Sequence, residues 1–168
     1  AEAGIHRADC HLTNVFNLRP NNNRIEALCG GKGDAIKGYP SLIKGKYVSN
    51  SYAGELDRIA TELADVNPNL VVALGNTASW ALLGQTAISK IRGTTSTSTH
   101  TIVGFKVLPT YHPAAVLRQW ELRPTTVIDL MKAAREREYP EIRRPKRSIW
   151  IEPTIEDLHE FHRRYILK

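Results

Sequence analysis

Leu70-Val71-Val72-Ala73-Leu74-Gly75-Asn76-Thr77-Ala78 is the stretch around which the rest of the chain is arranged. Five apolar residues run unbroken into a glycine, after which Asn76 or Thr77 can serve as a helix N-cap. This pattern predicts a strand buried on both faces, as in a parallel sheet, feeding directly into a helix. A second apolar run, Val107-Leu108-Pro109-Thr110, ends at Tyr111-His112-Pro113. Two strands of one sheet that finish in a Gly loop and a His-Pro loop bring both loops to the carboxyl edge, where open α/β sheets hold ligands. The fold expected is α/β, with a short, mainly parallel central sheet flanked by helices.

Working outward, the 168 residues suffice for one domain with a real core. The formal net charge is +6 and the isoelectric point is near 9.5, with basic residues crowding the last third. Such an excess favours a polyanionic partner, nucleic acid or an acidic membrane surface. There are two cysteines, Cys10 and Cys29, no signal peptide and no apolar run of about eighteen residues, so a reducing, cytoplasmic setting without a membrane is expected. The plain reading of both thiols is buried or idle.

Residues 10–16 read as a strand by their β-branched and aromatic content, ending at Asn17-Leu18-Arg19-Pro20. Residues 30–52 interleave Gly30, Gly31, Gly33, Gly38 and Gly45 with Lys32, Lys37, Lys44 and Lys46, the composition of an irregular, solvated loop. No strand precedes it and no Gly-Lys-Ser/Thr closes it, which argues against a Walker loop but leaves contact with a nucleic-acid backbone open. Leu56, Ile59, Ala60 and Leu63 recur at helical spacing, and Asn67-Pro68 ends that helix. A short helix through Trp80 stops at Gly84, and the Thr/Ser run 94–101 reads as a flexible connection. Residues 102–108 predict a strand pair or a strand bent at Gly104. Pro124 opens a helix whose expected apolar face is Val127, Ile128, Met131 and Ala134. Arg143-Arg144-Pro145-Lys146-Arg147 reads as a basic linker, and Thr154-Ile155-Glu156-Asp157 as a capping box opening an amphipathic helix.

Three motifs in order carry a family resemblance: Thr13-Asn14-Val15-Phe16-Asn17-Leu18-Arg19-Pro20, residues 68–78 around Gly75, and Leu108-Pro109-Thr110-Tyr111-His112-Pro113-Ala114-Ala115-Val116-Leu117-Arg118. Together they resemble the uracil-DNA glycosylase superfamily, specifically the family-four branch in its bacteriophage form, which can precede a DNA polymerase. Gly38-Tyr39-Pro40 and Lys44-Gly45-Lys46-Tyr47 are similar to a loop of that phage form. The resemblance implies hydrolysis of the N-glycosidic bond of uracil in DNA, as in base excision repair, with the base flipped out of the stack. The alternative is a catalytically silent DNA-binding module attached to a phage polymerase; an RNA or nucleotide binder ranks below both.

By that resemblance Asn14 reads the uracil edge, since an amide offers both the donor and the acceptor that uracil needs. The bland alternative is a strand-end Asn serving backbone groups. His112 would donate to the uracil O2 as charge builds on the departing base; the alternative is a surface histidine. Gly75 and Asn76 would meet the DNA backbone, Arg92 a phosphate and Pro113 the DNA, and Leu117 and Arg118 would lie at the minor-groove wedge, unless Val116 and Leu117 are helix core.

Two departures from the family qualify this picture. A Gly-Glu-Ala-Pro-Gly type motif and the Phe after it, which position water and stack on uracil, do not occur in these residues. Ala1 to Gly4 reads as the end of a helix, so the expectation is a domain over 1–140 that lacks its first strand and cuts poorly as it stands. A linker over 141–150 and a downstream element over 151–168 follow, the latter consistent with an approach to a polymerase domain. The second departure concerns the four-iron cluster that family-four enzymes hold on four cysteines: Leu18 occupies one of those positions and no Cys follows Cys29. The expectation is no metal and no cofactor, with uracil-containing DNA, single- or double-stranded, as the partner.

Overall fold

A computed structural model describes residues 2–144 and 149–167. Residues 2–4 form a turn closed by Gly4 at φ 70°. Two short strands, β1 (Cys29–Gly30) and β2 (Tyr47–Val48), pair antiparallel. The lysine- and glycine-rich segment between them is irregular, as its composition predicts, yet it is not simply solvated. Leu28, Ile36, Leu42 and Val48 are buried with Phe16, Leu56 and Trp80 in one apolar cluster, each such side chain worth about 1.5–3 kcal/mol.

Helix α1 (Ala53–Val66) buries Leu56, Ile59 and Leu63, the predicted stripe, and ends where Asn67 takes a left-handed conformation at φ 44°. Then come β3 (Val71–Leu74), α2 (Gly75–Leu83) with Gly84 as its left-handed stop, and α3 (Ile88–Ile91). The Thr/Ser run does not form a loose connection. It supplies β4 (Ser96–Thr97), and Ser98 is fully buried, with its hydroxyl accepting the Phe105 N–H at 2.9 Å. The chain bends at Gly104, φ 102°, into β5 (Lys106–Thr110).

The central sheet has the order β3-β5-β4. Its longer ladder is parallel, Val71 opposite Val107 through Leu74 opposite Thr110, and the short β4 ladder is antiparallel. Pro109 sits in the middle strand without disrupting it, because β4 ends before that register and the Gly93 N–H donates to the Pro109 carbonyl at 2.8 Å. Val107 packs with Ile59, Leu63, Ala73 and Leu82, so α1 and α2 cover one face. Lys106 and Thr110, of the opposite parity, turn to the other helix layer, which follows α4 (Pro113–Arg118) as α5 (Arg123–Glu136).

Two further expectations need correction. Residues 10–16 belong to no strand. On α5, Ile128 and Met131 are exposed while Thr126, Asp129 and Ala133 are buried. The helix is rolled to bring Asp129 onto the Thr110 hydroxyl, at 2.6 Å, and the Arg92 guanidinium.

Beyond the basic run, part of which lies outside the described residues, α6 (Ile155–Phe161) carries the predicted reciprocal cap: Thr154 Oγ1 accepts the Asp157 N–H and Asp157 Oδ2 accepts the Thr154 N–H. Its apolar residues Ile155, Leu158 and Phe161 are exposed. No helix among the described residues is long and apolar enough to cross a membrane.

Candidate functional site

The carboxyl ends of β3 and β5 lie side by side, so the Gly75 and His112 loops leave the sheet together. At Gly75 φ is +81°, and a Cβ there would sit 3.0 Å from the His112 Cβ. Only glycine lets the two loops close this far. His112 caps α4: its Nδ1 accepts the Ala114 N–H at 3.1 Å. In the neutral ring the proton is therefore on Nε2, which is left as a donor on an exposed side chain.

Both loops open onto a cleft of about 920 Å3 bounded by residues 9–16, the outer edge of β3 and the start of α2. Asn14, Gly75, Asn76 and His112 all line it. The Asn14 backbone carbonyl is held by Arg58, whereas its side-chain amide makes no hydrogen bond among the described residues. An amide and an imidazole N–H thus share one concave, largely apolar surface, an arrangement suited to a flat heterocycle with polar edges.

The other sequence candidates fall outside this wall or serve the fold. Asn76 is not an N-cap of α2; its Oδ1 accepts the Ile88 N–H at 3.1 Å and so opens α3. Arg92 donates to Asp129 through Nε, at 2.7 Å, and to the Thr125 carbonyl through Nη2, at 3.1 Å. Its guanidinium also lies 5.8 Å from the Tyr111 ring centre, so it braces the root of the His112 loop. Pro113 is the first residue of α4, and Leu117 and Arg118 end that helix in solvent. Leu117 is 78% exposed, which removes the reading of it as helix core.

The Uracil DNA glycosylase superfamily model matches residues 1–136. The chain belongs to the uracil-DNA glycosylase superfamily. It is 31% identical over 141 residues to the Type-4 uracil-DNA glycosylase of Thermotoga maritima, and 29% identical over 143 residues to that of Archaeoglobus fulgidus. Each match covers 79% of this chain and 58% of the relative, so the chain spans a little over half the length of those two proteins.

Superfamily motifs pointed to Asn14 and His112 but not to the side chains that hold them. Glu55, Arg58 and Glu62 lie one turn apart on α1 and form two ion pairs, a spacing legible as i,i+3 and i,i+4 partners. The Asn17 N–H, ahead of the Arg58 contacts, holds the Glu55 carboxyl below its usual value. The His11 ring and then the Thr13 hydroxyl do the same for Glu62. Asp129 carried no sequence signal at all.

A four-iron cluster on four thiolates does not fit these residues. The sequence has two cysteines, and the motif resemblance implies that Leu18 stands where the family carries a ligand. The Cys29 thiol donates to the Ile25 carbonyl, and burial pushes its pKa up.

Proposed function

We propose that this domain recognises uracil in DNA and promotes hydrolysis of its N-glycosidic bond, acting in base excision repair. The observation that carries the reading is that Asn14 and His112, 98 positions apart in the sequence, line one cleft, with the Asn14 amide and the His112 Nε2 making no hydrogen bond among the described residues. A uracil flipped out of the stack enters the cleft. The Asn14 amide accepts from N3–H and donates to O4, a pairing that cytosine reverses. His112, neutral and protonated on Nε2, donates to O2 as the N-glycosidic bond breaks and negative charge spreads over the base.

Water adds to the deoxyribose C1′ as the bond to the base breaks, and the proton it sheds ends on the released uracil. Leu117 and Arg118, exposed at the end of α4, fit the wedge that fills the gap in the flipped strand. The Type-4 likeness of the two relatives supports placement in the family-four branch. The phage form joined to a polymerase is the finer part of the proposal, to which the exposed apolar residues of α6 lend an attachment surface.

The test is uracil release from a labelled single-stranded oligonucleotide carrying one uracil. The wild-type protein should release it slowly, since no Gly-Glu-Ala-Pro-Gly type motif occurs in these residues, and His112→Ala should lose a further factor of about 100- to 1000-fold in kcat, the usual cost of one oxyanion-type donor. Tight binding of the oligonucleotide without release would instead make the domain a binding module.

A further inference from the structure

We infer that Arg58, on α1, is a positioning residue for Asn14; the inference rests on the uracil-recognition reading above. Residues 11–19 take part in no backbone-to-backbone hydrogen bond among the described residues. A strand in a sheet is located by its ladder, but this segment has none. Its place is set by side chains of α1.

Arg58 Nη2 donates to the Asn14 carbonyl at 2.6 Å and to the Val15 carbonyl at 3.2 Å. Those carbonyls belong to the consecutive peptide planes on either side of the Val15 Cα, so one guanidinium fixes the backbone immediately after Asn14. The guanidinium is itself held from two sides: Nε donates to Glu55 Oε2 at 3.1 Å, and Nη1 to Glu62 Oε2 at 2.7 Å. The two glutamates also reach the segment directly. Glu55 Oε2 accepts the Asn17 N–H at 2.9 Å, while Glu62 accepts from Thr13 Oγ1 at 2.9 Å and from His11 Nε2 at 2.5 Å.

Apolar packing alone leaves this backbone under-determined. Phe16 is buried, with Val15 and Leu18 packed against the same cluster, but these side-chain contacts leave the peptide planes between them free to turn. The Arg58 fork, planar and rigid, removes that freedom, which a lysine with one point of charge cannot do equally well. The consequence lies in base recognition: an amide that wanders by an ångström no longer meets the uracil edge.

The experiment is a double-mutant cycle on kcat/KM for uracil release, with Arg58→Met, Asn14→Ala and the double variant. If Arg58 acts through Asn14, Arg58→Met costs about tenfold, Asn14→Ala about 100-fold, and the double variant no more than Asn14→Ala alone. Arg58→Lys should recover part of the loss. Equal kcat/KM for Arg58→Met and wild type, or effects that multiply in the double variant, overturn the inference while leaving uracil recognition by Asn14 intact. A silent Asn14→Ala overturns both. Should Arg58→Met fail to fold, Glu62→Gln keeps the size of the side chain, loosens the guanidinium and enters the same cycle.

Discussion

At the scale of single residues, the contact between Gly75 and His112 ties a backbone requirement to a chemical group. An alanine at 75 meets the His112 Cβ at 3.0 Å and must also hold φ at +81°, a left-handed conformation costing about 1–2 kcal/mol. The strand-end loop can relieve the crowding only by moving His112 away. Gly75→Ala should therefore lower uracil release by about 10- to 100-fold and depress the melting temperature. Gly54 is the control, because a Cβ there meets nothing within 4 Å and α1 is gained by it. Gly54→Ala should raise stability by up to about 1 kcal/mol and leave release unchanged. The sequence marks Gly75 through the apolar run that precedes it, but the partner across the gap is read only when β3 and β5 are seen in register. Asn76 and Arg92 show the reverse limit: residue type and position in a motif suggest a DNA contact, and neither indicates that Ile88 and Asp129 engage those side chains.

Secondary-structure elements divide according to what drives them. Helix α1, strand β3 and the Gly84 stop were legible because apolar period and terminal chemistry both act locally. The roll of α5 was not, since it follows from Asp129 meeting Arg92 and Thr110, partners 37 and 19 positions away in the sequence. Residues 10–16 have strand composition without a strand partner, and α1 supplies their contacts through Arg58 and Glu62, with Glu55 at Asn17 just beyond. Those contacts give α1 a pH signature. The folded pKa values of Glu55 and Glu62 lie below their ordinary 4.5, held there by the Asn17 N–H and by the His11, Thr13 and Arg58 side chains. A depressed carboxylate contributes its full stabilisation above the unfolded value and loses it as pH falls through the folded one. Melting temperature should thus drop between about pH 5 and pH 3, and less steeply in Glu62→Gln than in wild type. Parallel curves for the two proteins would mean that Glu62 is not a stabilising member of the clamp.

For the whole molecule, the proposed function divides the work of binding between the basic excess and the cleft. The net charge is +6, yet the guanidinium groups nearest the cleft are paired: Arg58 with Glu55 and Glu62, Arg92 with Asp129, and Arg137 with Asp9 at 3.3 Å. Attraction to a phosphate backbone then comes from charges spread over the surface, Arg118 and the exposed lysines 32, 37 and 44 among them. Base recognition comes from neutral groups in the cleft. These two contributions respond differently to salt, because only phosphate contacts release counterions. With two or three such contacts on a single strand, affinity for a uracil-containing oligonucleotide should weaken about tenfold between roughly 50 and 200 mM salt. The ratio of its affinity to that of the matching thymine oligonucleotide should stay constant over the same range. Fluorescence anisotropy at several salt concentrations measures both. A ratio that collapses together with the affinity would place discrimination in the charged surface and take it away from Asn14, whereas a salt-independent affinity would mean that the basic excess never meets the DNA.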